Sequence, residues 1–401
     1  MDLRFRATPG LAKLFRSMKV AILTIDNREH YGNYAKTAPY FGTAPEALLQ
    51  GFAQLPEVEV HVISCTKKPM QSPEKLASNI YFHSLVVPKI GWMKTGYQGC
   101  IRAVRRKLAE IRPDIVHGQG TERDCAISAV FSGFPNVLTI HGNMRLISKV
   151  NHARPFSYQW LAAKLEGVTI PRSGGVVCIT HYTEDAMRDL AKRTWVVPNA
   201  VDAAFFDVNA RPSTERTPRI LCVGHICLRK NQNAFIQALD SLAAQRKFEV
   251  LFLGGMAAGQ AYDEEFLRLV KERSWCRYEG MADREKLKEY LRDATALALP
   301  SLEDNCPMVV LEAMAAGVPV MAAKVGGLPD LIEEGVTGFF CDPLDSGSLS
   351  RATKKILEGN SGLVDLAKYA KERAQTRFHP RAVAQRHVEI YRELLSGRRS
   401  P

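Results

Sequence analysis

Three stretches decide the fold of this chain: Pro300-Ser-Leu-Glu-Asp-Asn-Cys-Pro307, Met308-Val-Val-Leu-Glu-Ala-Met-Ala-Ala-Gly317 and Val325-Gly-Gly-Leu-Pro-Asp330. Proline after a polar turn predicts that a helix begins at Pro307, and Gly317 predicts its end. A strand over Pro319–Lys324 and a glycine turn follow. The first amide groups of such a helix are unpaired and carry the positive end of its dipole. The segment therefore predicts an anion site.

The acids of this segment have two explanations. Glu303 and Asp304 lie in the turn, and Glu312 lies in an otherwise apolar helix, where an unpaired carboxylate is costly. Either acid alone could cap a neighbouring backbone or pair with a lysine. Together with the helix start, they favour a site where Asp304 and Glu312 grip the hydroxyl groups of a polyol ligand.

The rest of the chain alternates short β-rich runs with helical patterns, which predicts parallel sheets covered by helices. The pattern restarts after a polar, proline-flanked stretch at 212–218, and a chain of 401 residues favours two domains. We therefore predict an α/β protein with two Rossmann-like, doubly wound domains over residues 1–199 and 200–379. A C-terminal helix at 380–397 is expected to pack back on the first domain.

The expected strands and helices come from this alternation. The first half contains strands over Val20–Thr24, Val58–Ser64, Ile80–Val87, Asp114–His117, Val137–His141 and Val176–Thr180, and helices over Pro45–Gln54, Tyr97–Ile111 and Glu184–Lys192. The second half contains strands over Ile220–Val223, Val250–Leu253, Arg277–Glu279, Ala296–Leu299 and Val320–Ala323. Ligands of such sheets bind outside the carboxyl ends of the strands. His141, Gly224, the turn at 300–304 and Gly326 all follow strands, so we expect them around one cleft between the domains.

The segment at 300–338 resembles the donor-site signature of the retaining glycosyltransferases of family four, which have the GT-B fold. The resemblance rests on Leu-Glu312-Ala-Met-Ala-Ala-Gly-Val-Pro-Val, on the glycine pair and on Gly335-Val-Thr-Gly338. Asp304 stands where the family has its first acid, a glutamate. The resemblance implies that Asp304 and backbone amides near Asn305, Cys306, Pro307 and Met308 hold the donor sugar, and that Glu312 binds the ribose diol.

Further stretches extend the resemblance over nearly the whole chain from about Lys19. Gly224-His225-Ile-Cys-Leu-Arg229-Lys230 is similar to the segment whose two cations hold the donor diphosphate; Lys230 matches, His225 replaces arginine and Arg229 could compensate. Thr139-Ile-His141-Gly142 resembles the element whose histidine faces the donor sugar. The stretch Pro198-Asn-Ala-Val-Asp202 resembles the interdomain element. Gly42, in Tyr40-Phe-Gly-Thr43, occupies the place of the glycine-rich loop of the first domain.

These similarities predict a metal-independent, retaining glycosyltransferase that moves a sugar from a nucleotide diphosphate donor, a UDP- or GDP-sugar, to an acceptor hydroxyl. His141, Lys230, Asp304 and Glu312 are the predicted catalytic residues. No cofactor and no metal is expected, because the sequence has no Asp-x-Asp motif and Lys230 would supply the positive charge. Whether the reaction is a double displacement or occurs on one face of the sugar stays open.

Charge is distributed unevenly. Residues 1–199 hold 26 Lys and Arg against 15 Asp and Glu, whereas the remainder is nearly neutral at 28 against 27. A basic first half suggests an anionic partner, and without a nucleic-acid-binding signature we favour an anionic membrane surface with a lipid-linked or cell-envelope saccharide acceptor. The basic amphipathic helix at Tyr97–Ile111, with Trp92 and Lys94 upstream, could contact that membrane or could be an ordinary solvated helix face.

Nine dispersed cysteines and the absence of a long apolar run predict a cytoplasmic protein with reduced thiols, in peripheral contact with the inner membrane face. The sequence also bears on three alternative functions. A dehydrogenase is disfavoured because Gly254, Gly255 and Gly259 lack the dinucleotide-binding spacing. A related phosphorylase would need a pyridoxal phosphate lysine. A non-catalytic nucleotide-sugar-binding module in a glycan-assembly complex remains open.

Overall fold

The computed structural model describes residues 17–210, 216–256, 259–359 and 361–397, and in these residues the chain forms two α/β units. The first sheet has eight strands in the described part of the chain: β1 (Met18–Leu23), β2 (Val58–Thr66), β3 (Lys75–Ala77), β4 (Ile80–Val86), β5 (Ile115–Gln119), β6 (Asn136–Ile140), β7 (Val176–Cys178) and β8 (Thr194–Val196). The second has six there: β9 (Arg219–Val223), β10 (Glu249–Leu253), β11 (Cys276–Tyr278), β12 (Ala296–Leu299), β13 (Val320–Ala323) and β14 (Phe339–Cys341).

Helices cover the sheets and connect their strands. Those of the first half are α1 (Asn27–Tyr31), α2 (Thr43–Ala53), α3 (Gln98–Ile111), α4 (Asp124–Val130), α5 (Met144–Val150), α6 (Tyr158–Thr169) and α7 (His181–Met187). Those of the second half are α8 (Gln232–Ala238), α9 (Asp240–Ala243), α10 (Ala261–Lys271), α11 (Arg284–Arg292), α12 (Met308–Ala316), α13 (Leu328–Leu331), α14 (Ser346–Leu357), α15 (Ser361–Arg377) and α16 (Pro380–Leu395).

The strand order places two crevices at the carboxyl ends of the sheets. The first sheet runs β3-β4-β2-β1-β5-β6-β7-β8 and the second β11-β10-β9-β12-β13-β14, and neighbouring strands pair in parallel except for β3 and β4. The order reverses between β1 and β5 and between β9 and β12. Because neighbouring loops diverge at such a switch point, ligand crevices open there. The loops after β9 and β12 carry Lys230 and Asp304.

Continuous burial explains why the central strands form. In β12 and β13 every residue is buried, as expected of strands covered by helices on both faces. The helix α12 that follows β12 is also almost wholly buried, and it ends at Gly317, which adopts φ 74°. It begins one residue later than predicted, because Pro307 is the capping residue and Met308 is the first helical residue.

Most predicted elements are present with ends shifted by one or two residues. The predicted helix at Glu184–Lys192 is displaced, because α7 spans His181–Met187 and Thr180 caps it through its side chain. The three-residue strands β3, β8 and β14 were not predicted, since they are too short to show a period. Part of the predicted linker, residues 211–215, lies outside the described residues.

The chain passes between the two units twice, at neighbouring places. The first passage follows β8 through Pro198–Asp202, and the second joins α15 to α16. The two passages are joined by a hydrogen bond of 2.9 Å from the Val201 amide to the Phe378 carbonyl. Helix α16 then packs against α2 and the first sheet, where Val383, Val388 and other apolar residues join its core. The domain limits at 199 and 379 stay a prediction.

Candidate functional site

Lys230 and Asp304 meet at the switch point of the second sheet. The ammonium of Lys230 lies 2.5 Å from the Asp304 carboxylate, and both side chains are about nine-tenths buried. The hydroxyl of Ser301 donates to the same carboxylate oxygen at 3.2 Å. Arg229 lies 3.7 Å from the other oxygen and donates to the Glu303 carbonyl at 2.9 Å. The structure therefore brings the predicted diphosphate cations and the predicted sugar acid into one cluster.

The two glycines at 326–327 allow the Asp304 turn to pack against the start of the next helix. A Cβ atom on Gly326 would lie 1.9 Å from the Asp304 carbonyl oxygen, and one on Gly327 would lie 2.2 Å from that of Asn305. Gly326 also has φ 54°, which favours glycine. The Gly327 amide donates to the Asp304 carbonyl at 3.0 Å. The glycine pair thus fixes the backbone that carries Asp304.

The start of α12, where the sequence predicts an anion site, lies four residues after Asp304. Pro307 gives no side-chain cap, so no side chain competes for the first amide groups of the helix. Cys306 is buried, and burial raises the pKa of its thiol to about 12. The thiol is therefore neutral, and Cys306 and Met308 could act only through their backbone groups.

Glu312 is paired with an arginine that the sequence analysis missed. Its carboxylate is nearly fully buried and lies 3.1 Å from Arg284, at the first position of α11. Burial raises the pKa of Glu312, and the charge of Arg284 opposes that rise. Arg284 also lies 3.7 Å from Asp202 and over the ring of Phe205. The structure thus supports a structural role for Glu312 as the ion-pair partner of Arg284, and the ribose contact stays a prediction.

His225 and Gly224 line a cavity of about 260 Å³ next to the cluster. The ends of β9 and β10 form two of its walls, and Met281, Ala282 and Leu287 form a third. His225 is exposed, and its carbonyl accepts from the Gln232 amide at 3.1 Å. The cavity is apolar except for His225, which suits a flat organic ring.

Asn305 links the donor-side turn to the first unit. Its side-chain oxygen accepts hydrogen bonds from the hydroxyls of Thr180, at 2.5 Å, and Thr183, at 2.9 Å. Its amide nitrogen lies 3.5 Å from the His141 carbonyl. Asp330 accepts from the amide of His181 at 2.5 Å nearby. The Asn305 side chain therefore spans the cleft, which leaves only its backbone for the predicted donor contact.

His141 lies at the carboxyl end of β6 and contacts Gln119, which lies at the end of β5. The distance from His141 Nε2 to Gln119 Oε1 is 2.9 Å. Burial lowers the pKa of His141 to about 4, and a hydrogen bond to Asn199 opposes that shift. The imidazole is therefore neutral near pH 7. His117, on β5, is fully buried and hydrogen-bonded to Tyr391, which indicates a structural role.

Glu166 is a second residue that sequence reasoning missed. Its carboxylate accepts from the amides of Met144 and Arg145, at 3.3 and 2.7 Å, and from the hydroxyl of Thr121 at 3.0 Å. Burial raises the pKa of Glu166, and these hydrogen bonds oppose the rise. It holds the start of α5 just after His141. A buried glutamate inside α6 gives no local sequence signal of that role.

Gly42 caps α2 at the switch point of the first sheet. It has φ 88°, and Glu46 in the first turn of the helix accepts from the Phe41 amide at 3.0 Å. Burial raises the pKa of Glu46, with Arg284 and the Phe41 hydrogen bond opposing. The Glu46 carboxyl group thus lies at the start of α2, near Gly42, where the sequence predicts a contact with the donor phosphate. Its donor contact stays a prediction.

The structure fits one of the two alternatives for the helix at Tyr97–Ile111, a surface helix with a solvated basic face, and a membrane contact of that face stays a prediction. The predicted interfacial position of Trp92 does not fit its surroundings. The apolar residues of α3 pack into the core: Cys100, Ile101, Val104, Leu108 and Ile111. Trp92 is buried, and its indole donates to the Val87 carbonyl at 3.0 Å. The prediction was wrong for Trp92, because burial and an interfacial position look alike in sequence. In the part of the chain that the structure describes, no helix is long and apolar enough to span a membrane.

Three potential metal ligands, Cys65, Cys100 and Asp124, lie within 4.8 Å of one another in the first unit. All three are buried among apolar residues, and burial raises the pKa of the Asp124 carboxyl. Their surroundings favour uncharged groups, whereas metal ligation needs thiolates. The group shares no residue with the predicted donor site.

Two family models divide the chain between them. The model described as "Glycosyltransferase Family 4" matches residues 46–205, and that described as "Glycosyl transferases group 1" matches residues 205–375. A glycogen synthase of Mycobacterium tuberculosis is 26% identical over 305 residues, which are 72% of this chain and 71% of the relative. The amylovoran biosynthesis glycosyltransferase AmsK of Erwinia amylovora is 26% identical over 226 residues, 52% of this chain and 53% of its own.

Solved structures share the fold at lower identity. Sucrose-phosphate synthase from Thermosynechococcus elongatus superposes with a TM-score of 0.72 at 20% identity, covering 95% of this chain and 100% of that one. HepE of Anabaena in complex with UDP-glucose gives a TM-score of 0.66 at 17% identity over 94% of this chain and 100% of its own. At these identities the superpositions establish the two-domain architecture alone.

Proposed function

The chain belongs to the group 1 glycosyltransferases of family-four type, with the GT-B fold, and on that basis we propose that it moves a sugar from a nucleotide diphosphate donor to an acceptor hydroxyl. The observation that carries the proposal is the cluster of Arg229, Lys230 and Asp304 beside the start of α12. Positive charge and helix amides converge there, as a departing diphosphate requires.

Asp304 has two successive roles in this proposal. Its carboxylate pairs with Lys230 at 2.5 Å. A bound diphosphate takes over that cation, and the Asp304 carboxylate is then available to the sugar hydroxyls. The leaving diphosphate gains negative charge in the transition state, which Lys230 and the amides near Met308 stabilise. Removing one such donor typically costs about 3–4 kcal/mol of transition-state stabilisation.

The donor is proposed to be a UDP- or GDP-sugar, with its base in the cavity at His225. HepE binds UDP-glucose, so that compound is the first to test. Glu312 is proposed to bind the ribose while it stays near Arg284. Thermal shifts with UDP-, GDP- and ADP-sugars test the donor: a cognate compound at a hundred times its Kd stabilises the fold by about 2.7 kcal/mol. No shift and no transfer or hydrolysis with any of them would overturn the proposal.

The reaction is proposed to retain the anomeric configuration and to need neither metal nor cofactor. Support comes from Lys230 and Arg229, whose positive charges would balance the diphosphate as a divalent ion does in metal-dependent transferases. We assign no side-chain nucleophile, since Glu312 is paired with Arg284 and Asp304 is assigned to the sugar hydroxyls. Proton NMR of the first product formed tests retention. A product with the opposite anomeric configuration contradicts it.

The acceptor is proposed to be a cell-envelope or lipid-linked saccharide presented at a membrane. The α5–α6 surface, which comprises Arg145, Ile147, Lys149, Arg154, Phe156 and Tyr158, supports this proposal. Phe156 is 81% exposed, and residues 142–165 contain four Lys and Arg but no Asp or Glu. Exposed aromatic and basic side chains together suit an anionic membrane. The surface adjoins His141, because Asn143 caps α5.

Co-sedimentation with vesicles tests the membrane contact. Binding to vesicles of phosphatidylglycerol and phosphatidylcholine is expected to fall at high salt and in Phe156→Ser with Arg154→Ser. Leu344→Ser is a matched control, because Leu344 is 85% exposed but lies in the second unit. Equal binding of all variants, or binding to pure phosphatidylcholine, would overturn this part of the proposal and leave the donor site untouched.

A further inference from the structure

Four buried or half-buried side chains connect the last helix of the chain to His141. The hydroxyl of Tyr391, on α16, lies 2.6 Å from His117 Nδ1. The other nitrogen of His117, Nε2, lies 3.1 Å from the amide nitrogen of Gln119. The amide oxygen of Gln119 lies 2.9 Å from His141 Nε2. Tyr391 and His117 are separated by 274 residues in sequence, so this chain of hydrogen bonds forms only when α16 packs on the first sheet.

The direction of these hydrogen bonds follows from Gln119. Its amide nitrogen can only donate and its oxygen can only accept. The Gln119 nitrogen lies 3.1 Å from His117 Nε2 and 3.5 Å from Nδ1, and the shorter contact favours Nε2 as the acceptor. Nε2 also faces the Thr139 hydroxyl at 2.7 Å, and the His117 proton then lies on Nδ1, toward Tyr391. The Gln119 oxygen accepts from His141, so the proton of His141 lies on Nε2. The position of one amide thus sets the protonation pattern of two histidines.

A second histidine of α16 completes these surroundings. His387 donates from Nδ1 to the Val383 carbonyl at 2.8 Å, and its ring stacks on His117 with centroids 5.3 Å apart. Its Nε2 is buried and has no hydrogen-bond partner. A cavity of about 20 Å³, room for about one water molecule, lies between His387, His141 and Asn199. The groups facing His141 are thus uncharged donors and acceptors.

We infer that Gln119 is a positioning residue which, held by His117 and Tyr391, keeps His141 a neutral imidazole with its proton on Nε2. The inference rests on the proposed function only in assigning His141 to the sugar side of the cleft. Positive charge develops on the sugar ring when the diphosphate leaves, and an imidazolium beside it would oppose that charge. A neutral ring with Nδ1 as an acceptor does not. Helix α16 is therefore part of the support of the active site.

Histidine-selective ¹⁵N NMR of the full chain tests the inference, with the His141 signal assigned by its loss in His141→Gln. In the wild type we expect one tautomer, Nε2–H, that does not titrate between about pH 5 and pH 8. In Gln119→Glu the new carboxylate should raise the proton affinity of the His141 imidazole at least tenfold. In Tyr391→Phe we expect both tautomers. Tyr369→Phe, at an exposed tyrosine of α15, should behave as the wild type.

Three results would overturn the inference: an Nδ1–H tautomer in the wild type, unchanged titration in Gln119→Glu, or a wild-type tautomer in Tyr391→Phe. If the glutamate variant does not fold, Gln119→Met removes both polar atoms and should give mixed tautomers. These readouts need no substrate. A protein without transfer activity but with the expected spectra would refute the proposed function and leave the role of Gln119 intact.

Discussion

The residues predicted to contact the donor differ in charge between the two sheets: the charged edge is formed by Lys230 and Asp304, and the neutral edge by Gln119 and His141. At the edge of the second sheet, the Asp304 carboxylate lies within 4 Å of both Arg229 and Lys230. At the edge of the first sheet, Gln119 and His141 form a hydrogen-bonded pair without formal charge, since burial lowers the pKa of His141 to about 4. The doubly wound topology therefore places a site but does not determine its charge.

This difference suits a reaction that separates charge. The proposed leaving group is an anion and belongs at the charged edge, whereas the proposed sugar cation lies against the neutral edge.

The largest effect is expected when the charged edge loses its lysine. Lys230→Ala should lower turnover at least a hundredfold, because the diphosphate loses its nearest cation. Initial rates with the donor found by thermal shift measure this, with circular dichroism to check folding. Lys288→Ala, an ion-paired lysine on α11, is the matched control. Near-normal turnover in Lys230→Ala would remove the lysine from the mechanism.

Acid should destabilise the neutral edge. Burial lowers the pKa of His387 to about 4, against about 6.5 in the unfolded chain. Between these values the unfolded state binds more protons, so stability rises with pH through this window and is fully present above it. His387 alone should cost about 2 kcal/mol at pH 5 relative to pH 7.5. Urea unfolding at both pH values measures this.

The matched comparison uses two histidine variants. His387→Gln should weaken the dependence of unfolding free energy on pH, whereas His30→Gln, at an exposed position, should not. An identical acid dependence in His387→Gln and the wild type would mean that His387 is not a buried neutral group.

A smaller effect is expected when the acid of the charged edge is neutralised. Asp304→Asn frees Lys230 from its partner, so UDP without a sugar should bind about tenfold more tightly, equivalent to about 1.4 kcal/mol. Transfer should become slower, because the sugar loses a hydroxyl acceptor. Calorimetric titration with UDP and rate measurements separate the two effects. Weaker UDP binding would show that Asp304 does not compete with the diphosphate.

The smallest expected effect is none. If the cations of the second edge suffice, EDTA should leave the transfer rate unchanged, and added Mg²⁺ or Mn²⁺ should not increase it. A rate abolished by EDTA and restored by a divalent ion would show that the charged edge needs metal as well as Lys230.

Local sequence patterns predicted the elements that surround the site better than the contacts within it. Helix α12 was predicted to begin at Pro307 and to end at Gly317; the structure has the end there and the start one residue later, because proline and glycine act on their own backbone. The GT-B fold and the glycosyltransferase family, both confirmed, rest on the same segment.

The partners of the site residues could not be read in the same way. Arg284 meets Glu312, and Tyr391 meets His117, only after distant segments pack together. Nothing near Glu312 in sequence distinguishes an ion-paired glutamate from a ligand-binding one. For Trp92 the pattern favoured the wrong surroundings, since the same residue types occur in cores and at interfaces.

The hydrogen bond between Val201 and Phe378 has a mechanical consequence. Two backbone segments cross between the two units side by side and are hydrogen-bonded to each other, so together they form a hinge of two segments. We expect such a connection to bend about one axis more easily than it twists, which would keep Asn305 opposite Thr180. Deleting α16 would remove the second of these segments and also the helix whose Tyr391 supports His141 through His117 and Gln119. A chain without α16 should therefore lose both the alignment of its two α/β units and the proposed transfer activity.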